Sequence, residues 1–469
     1  MARIKIDYGI DLGTTNSAIA RMECGESVIK QTKNGMDTLP SCVYFSKNKK
    51  GERAIRIGMK AKDSVYSDAI TALSKNERPK ECGYLEFKRE MGSDKKYSNE
   101  NMPKESYSPE ELSAEVLKEL KSLINDETVN SVVITVPAMF TAIQKDATMK
   151  AARLAGFKQC ELLQEPIAAC MAYGLSGEKV DGKWLVFDFG GGTFDAALVK
   201  VEDGILTVFD TEGDNYLGGK NLDEAVVTKI LLPSLKEVYN LSSYETIEWK
   251  KKALMDALKG PAEEMRIALS FADSTDYSTY DRNLNLGQDD EGEDIDLEIT
   301  ITKEQLIEAI GGQYEKAVGI CKGLLKRNGL SGCNLSSLIL VGGPTYSPII
   351  REMLRKEVTP NVDTSINPMT AVARGAALYA STIDAIVNER EIKQESKADI
   401  VFLQVGYEST SVEPSEWVSI SIDKEKTDGN CPSELFIEIQ RTDGAWRSDR
   451  TPVDEKGNVV TGDHILYIY

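Results

Sequence analysis

The stretch Trp184 to Asp195, Trp-Leu-Val-Phe-Asp-Phe-Gly-Gly-Gly-Thr-Phe-Asp, admits few conformations. An apolar run ends in Asp188, three glycines and Thr193 follow, and a second apolar run begins at Ala196. That pattern predicts a β-hairpin turning at Gly190-Gly191-Gly192. Glycines lack a Cβ, so backbone N–H groups can close on a bulky anion, and successive N–H groups form an anion nest. Thr193 adds a hydroxyl donor. Asp188 and Asp195 would repel a phosphate, so carboxylates beside such a cradle imply a divalent cation or a water to be activated.

The same grammar occurs near the start of the chain. Strand-like Ile4 to Ile10 runs into Asp11, then Gly13, Thr14, Thr15 and Asn16, then the apolar Ala18-Ile19-Ala20. Two such hairpins predict a duplicated unit and two jaws closing on one polyphosphate. The duplication extends further. The apolar run Ser131 to Val136, its following helix and the helix entered at Glu165-Pro166 match Ser337 to Val341, its helix and the helix after Asn367-Pro368. Two α/β lobes facing a cleft are the economical architecture.

Between these motifs the spacing predicts strands at 17–22, 27–30 and 39–45, and a helix from about 57 to 73. Residues 46–107 are otherwise charged and interrupted. Ser108-Pro109-Glu110-Glu111 and Thr302-Lys303-Glu304-Gln305 are helix starts with capping boxes. Helices are also expected after Thr141, from Asn221 to about Val238 and across 245–271. A strand-turn-strand unit is expected at 279–301, around the acidic, solvated tip Asp289 to Asp294. From Asp399 alternating short strands predict a small β domain. The closing apolar strand, Ile465 to Tyr469, predicts that the natural protein continues beyond it.

Composition removes several classes of function. Acidic side chains number 75 against 56 basic ones, a net charge of −19. No nucleic-acid or anionic-membrane partner is expected, because both need a basic face. No run reaches the ~20 apolar residues of a spanning helix. The N-terminus enters a strand at once, which predicts no signal peptide. The 8 cysteines form no Cys-x-x-Cys pair, and most read as small buried hydrophobes in a reducing cytoplasm. The single histidine, His464, excludes a Ser-His-Asp triad and histidine acid/base chemistry in the main body. The chemistry left uses carboxylates, hydroxyls, lysine and a hard metal. Gly213 to Asn221 is not a Walker P-loop, since Asn221 stands where Ser or Thr is required.

The three glycine motifs, 11–16, 188–195 and 342–343, resemble in order and spacing the ATPase domain of the seventy-kilodalton heat-shock chaperone family, within the actin and sugar-kinase superfamily. The resemblance covers roughly residues 3 to 383. It implies a duplicated actin-like, ribonuclease H-like α/β fold of two lobes, with a small all-β C-terminal domain. Residues 1–383 would form the nucleotide-binding domain: lobe I at 1–183, and lobe II at 184–383 with 223–305 as its upper subdomain. Residues 384–398 would be a linker and 399–469 a truncated β domain, too short for the family's peptide-binding sandwich and lid. Asp399 to Leu403 faintly resembles the family's apolar linker and reads equally well as a first strand.

The resemblance further implies ATP or ADP with Mg²⁺ in the cleft. Gly13, Thr14, Thr15, Asn16, Gly190, Gly191, Gly192 and Thr193 would hold the phosphates, and Asp11 and Asp188 would hold Mg²⁺ mostly through water. Lys62, in a Gly-x-x-Ala-Lys context, would reach the γ-phosphate. Glu165, Thr193 and Asp195 would position the attacking water. Gly218, Gly219, Glu263, Arg266, Ser270, Gly342, Gly343 and Tyr346 would surround adenosine, with Tyr346 stacking on adenine. Here the chain departs from the family pattern: Pro344 and Tyr346 replace Ser and Arg, and Met369 replaces an acidic residue. Partners of the family's kind, a client polypeptide and a co-chaperone, are implied. The activity expected is slow ATP hydrolysis by a chaperone-like protein. A filament-forming actin-like protein, a sugar or acetate kinase, and a nucleotide-dependent scaffold with little turnover are the alternatives.

Overall fold

The computed structural model describes residues 5–48, 50–102, 104–174 and 181–385, and the short strands at 403–406, 419–422, 435–437 and 451–453. These fall into two compact units, divided after Ala385. In the first unit two sheets carry one topology. One runs, in spatial order, Gln159–Gln164, Ser131–Val136, Tyr8–Asp11, Asn16–Glu23 and Glu26–Ile29. The other runs Val362–Asp363, Ser337–Val341, Gly182–Phe189, Phe194–Glu202 and Ile205–Asp214. In each, the first strand in sequence is antiparallel to the second and the second to the third, while the first is parallel to the fourth and the fourth to the fifth. This is the duplicated two-lobe α/β architecture that the paired hairpins predict, and the actin-like fold that the family resemblance implies.

Each glycine hairpin sits at the end of a buried central strand. Ser131–Val136 is buried throughout, as its unbroken apolar run requires. The helix starts also follow from local chemistry. Ser108 accepts from the Glu111 N–H while the Glu111 carboxylate accepts from the Ser108 N–H, and Thr141 with Gln144 and Thr302 with Gln305 make the same reciprocal caps.

Two further helices tie the halves together. Glu165–Ala172 and Ala371–Ala380 pack face to face, flanked by Ile6, Val133, Trp184, Val186 and Ile339 from both sheets. Their approach depends on glycine. A Cβ on Gly375 would stand 1.7 Å from the Ala168 carbonyl oxygen, and one on Gly9 would stand 2.1 Å from the Ala377 backbone nitrogen.

Local differences from the sequence reading have physical causes. Arg53–Ile57 lies in a charged segment yet forms a strand, because it pairs with Cys42–Lys47, which also pairs with Gly83–Leu85. The hairpin expected at 279–301 has its ladder further out, at Ser274–Ser278 and Glu298–Thr302. Asp289 folds the acidic tip on itself, its Oδ1 accepting from the N–H groups of Glu291 and Glu293. The helix after Gly219 contains one π-helical turn, Val227–Leu231. Beyond Ala385 the described strands form two antiparallel pairs, 403–406 with 419–422 and 435–437 with 451–453. The expected linker from 386 onward, the expected strand at 464–469, His464 and Cys431 lie outside the described residues. Among the described residues no helix is long and apolar enough to cross a membrane.

The glycine crossing yields a stability prediction. Gly375→Ala forces a methyl into a carbonyl oxygen and is expected to cost more than about 3 kcal/mol. Gly323→Ala, on an open helix face, should be neutral or slightly stabilising. Thermal melts of the two variants decide it: equal melting temperatures would show that the crossing is not tight.

Candidate active site in the cleft between the sheets

The two hairpins meet directly. Phe189 pairs with Phe194, so residues 190–193 form the loop, closed by the Gly190 N–H donating to the Thr193 carbonyl at 2.9 Å. A Cβ on Gly191 would stand 2.4 Å from Thr15 Oγ1 of the opposite hairpin, so only glycine admits this contact. Thr15 Oγ1 is itself buried and has no hydrogen-bond partner among the described residues. An unpaired buried hydroxyl facing a glycine cradle fits a phosphate oxygen.

A cavity of about 100 Å³ opens at this meeting point. Its walls include Asp11, Gly13, Thr14, Thr15 and Asn16 from the first hairpin, and Asp188, Gly190, Gly191, Thr193 and Asp195 from the second. Glu165 enters from its helix N-terminus, and Gly342 and Gly343 close one end. Gly192 does not line it; a Cβ there would meet the Arg89 guanidinium at 2.6 Å.

The cavity also contains a residue that the sequence reading missed, Lys88. It lies in the short 3₁₀ turn Phe87–Glu90, is 5% exposed, and its ammonium is 2.8 Å from Glu165 Oε1. The adjacent Phe140 ring lies 5.6 Å from the ammonium. Its signal in the sequence is slight: a Lys-Arg pair directly after the aromatic Phe87. Lys62, expected at the γ-phosphate, is elsewhere. It sits in the helix Met59–Lys75 and pairs with Glu263 at 2.9 Å, and it does not line the cavity. Its Gly-x-x-Ala-Lys context encodes the helix start at Gly58, where φ is 71°.

The adenosine-side residues are likewise not at the cavity wall, apart from Gly342 and Gly343. Glu263 is held by Lys62, and Arg266 Nε donates to Asp223 Oδ1 at 2.6 Å inside the protein. Ser270 Oγ donates to the Arg266 carbonyl, and Tyr346 donates its hydroxyl to Asn367 Oδ1 at 2.6 Å. Thr38, Pro137, Pro368 and Met369 line the cavity instead.

Charge in the cavity is unbalanced. Burial pushes Asp11 up to about 7, with the Glu165 carboxylate adding to the rise and Lys88 and Thr135 opposing it. Burial and then Glu165 push Asp195 up to about 7, and burial with three neighbouring carboxylates raises Asp188 well above the usual range. One ammonium among four acids is a site that favours an added cation. Among the described residues no three acidic, His or Cys side chains converge closely enough to bind a metal directly. The donor set therefore fits Mg²⁺, which keeps most of its waters and takes one or two carboxylates plus substrate phosphates.

The family model described as Hsp70 protein matches residues 7–413. The chain belongs to the Hsp70 family. Hsp70 proteins are ATP-binding chaperones with ATPase activity, and they bind ATP or ADP with Mg²⁺ and act on client polypeptides together with co-chaperones. The match spans both glycine hairpins, Lys88, Glu165 and the Gly342-Gly343 turn.

The raised carboxylates give a pH prediction. In the folded protein Asp11 and Asp195 keep protons up to about pH 7, whereas unfolded carboxyls release them near 3.8. The native state therefore binds more protons in that window, and the stability this contributes is present below about pH 4 and lost as pH rises through 7. The melting temperature of the metal-free protein should fall from pH 5.5 to 8, Asp195→Asn should flatten that fall, and Mg²⁺ with ADP should offset it. With one histidine in the chain, imidazole titration contributes little here. An unchanged slope in Asp195→Asn would refute the assignment.

Proposed function

We propose that the cavity holds the β- and γ-phosphates of Mg-ATP and promotes attack of water on the γ-phosphorus. The carrying observation is the buried Lys88–Glu165 pair set between two facing glycine hairpins and three half-buried aspartates. The hairpin N–H groups and the Thr15 and Thr193 hydroxyls would bind the phosphate oxygens. Lys88, rather than Lys62, would neutralise charge on the transferring phosphoryl group. Mg²⁺, held through water by Asp11 and Asp188, would supply further charge neutralisation. Glu165, Thr193 and Asp195 would orient the water. Its oxygen bonds to the γ-phosphorus as the bond to the β,γ-bridging oxygen breaks, giving ADP and inorganic phosphate. The water's proton passes to a carboxylate, and Asp195, pushed up to about 7, is poised near neutral pH to accept it. Positioning and electrostatics carry most of such a reaction.

Contacts between the two halves above the cavity support coupling to lobe rotation. Lys62 pairs with Glu263, Lys220 pairs with Glu86 at 2.6 Å, and Arg89 donates to the Gly192 carbonyl. We assign residues 1–383 to this nucleotide-binding domain, with lobes at 1–183 and 184–383, and the remainder to signalling toward a client or co-chaperone. The described cysteines are all free, which supports a cytoplasmic setting.

Single-turnover ATP hydrolysis with Mg²⁺ tests the site. Lys88→Ala should lose about 10²-fold or more and Thr193→Ala about 10-fold or more, by analogy with removing one preorganised donor. Lys62→Ala should stay within about threefold, because it removes only a partly exposed ion pair. A loss confined to Lys62→Ala would reverse the assignment of the two lysines.

A further inference from the structure

We propose that Glu86 and Arg89 are positioning residues for Lys88. Together they clamp the turn that carries it onto the second glycine hairpin, at Lys220 and Gly192, and so set the gap between the ammonium and the phosphate cradle. This rests on the reading of the cavity as a phosphoryl-transfer site, and it assigns a task to groups that do not line that cavity.

The turn Phe87–Glu90 sends consecutive side chains in different directions. Phe87 is 1% exposed and belongs to the core of the first half, with Tyr84, Met91 and Leu112. Lys88 enters the cavity and pairs with Glu165, which belongs to the same half. These contacts fix Lys88 relative to the first half. The cradle is completed by Gly190, Gly191 and Thr193 of the second half. The reach of the ammonium to a bound phosphate therefore depends on what holds the turn across the cleft.

Two contacts do so, one on each side of Lys88 in the chain. Glu86 Oε2 is 2.6 Å from Lys220 Nζ, and Arg89 donates to the Gly192 carbonyl. Glu86 Oε2 also pairs with the Arg89 guanidinium at 3.1 Å, so one carboxylate joins both contacts. The segment bearing Lys220 is itself fastened to the hairpin: the Gly219 N–H donates to the Gly190 carbonyl at 3.0 Å and the Lys220 N–H to the Gly191 carbonyl at 2.8 Å. Lys220 thus holds the hairpin with its backbone and the turn with its side chain.

Two backbone features fit this role. Gly192 is the glycine of its loop that does not line the cavity. A Cβ there would stand 2.6 Å from the Arg89 guanidinium and 3.2 Å from Glu86 Oε1, so its missing side chain makes room for the clamp. Glu86 has φ 56°, in the left-handed region that non-glycine residues rarely enter. Such a conformation persists where surrounding contacts hold it, and it gathers at functional sites. The Glu86 and Lys220 side chains are 28% and 35% exposed, so their pair adds little to stability. Its effect falls on geometry, because a misplacement of about 1 Å can cost a reaction about 10²-fold.

Single-turnover hydrolysis of Mg-ATP by the full chain, with protein in saturating excess, tests this. Glu86→Gln should slow hydrolysis of bound ATP by about tenfold, a part of what such a misplacement costs. Lys220→Gln should slow it in the same way, and Lys220→Arg, which keeps the charge, should slow it less. Adding Glu86→Gln to Lys88→Ala should leave the rate of Lys88→Ala alone, because the clamp acts through that ammonium. Glu86→Gln hydrolysing bound ATP at the wild-type rate would overturn the proposal and leave the reading of the cavity standing. A further loss of about tenfold on adding Glu86→Gln to Lys88→Ala would show that Glu86 acts on the fold and not through Lys88, and would equally refute it. Wild-type hydrolysis in Lys88→Ala would overturn the reading of the cavity on which the proposal rests.

Discussion

The close crossing of two small-residue helices, with Gly375 against Ala168, together with the seating of Ala377 on Gly9 of the strand Tyr8–Asp11, is the constraint from which the cleft follows. Each helix belongs to the repeat of one half, and both share one apolar cluster with Ile6, Val133, Trp184 and Ile339. A crossing this tight brings the parallel strand ends of the two sheets close enough for their hairpins to touch at Thr15 and Gly191. It also aims the N-terminus of the Glu165–Ala172 helix, and so the Glu165 carboxylate, into the space between them. Larger residues at the crossing would separate the sheets and open the cradle.

That geometry creates an electrostatic problem within the fold. Asp11, Asp188, Asp195 and Glu165 face one small volume, and Lys88 is the described cation lining it. Buried carboxylates without compensation take up protons instead of staying charged, which is the response seen at the three aspartates. Such an arrangement would be relieved by a divalent cation and phosphates bound among the carboxylates, as the proposed function requires.

Much of this was legible in the sequence. The two Asp-apolar-Gly-Thr hairpins, the capping boxes at Ser108 and Thr302, the cap at Thr141, and the repeat of strand, helix and Pro-started helix are local patterns, and local patterns determine local structure. Lys88 was not legible in the same way. It reaches the cavity because the Gly83–Leu85 strand pairs with Cys42–Lys47 and leads into a turn across the cleft, a tertiary path that no spacing rule encodes. Lys62 lies off the cavity wall for the converse reason: its local context specifies a helix start, and its partner Glu263 lies 201 residues away. The strand Arg53–Ile57 is an edge strand whose outward side chains are charged, so hydrophobic periodicity is weak there.

The contacts that join the halves differ in what they cost to break, and this orders their roles. The helix crossing is apolar, buried and sterically exact, so separating it would expose a contiguous core. The Lys62–Glu263 and Lys220–Glu86 pairs above the cavity are partly exposed, and such pairs contribute about 0–1 kcal/mol each. Any change of cleft opening therefore pivots at the crossing and gives way at the ion pairs. Polyphosphate bound as proposed would act between these two layers, at the Thr15–Gly191 contact, by bridging both hairpins.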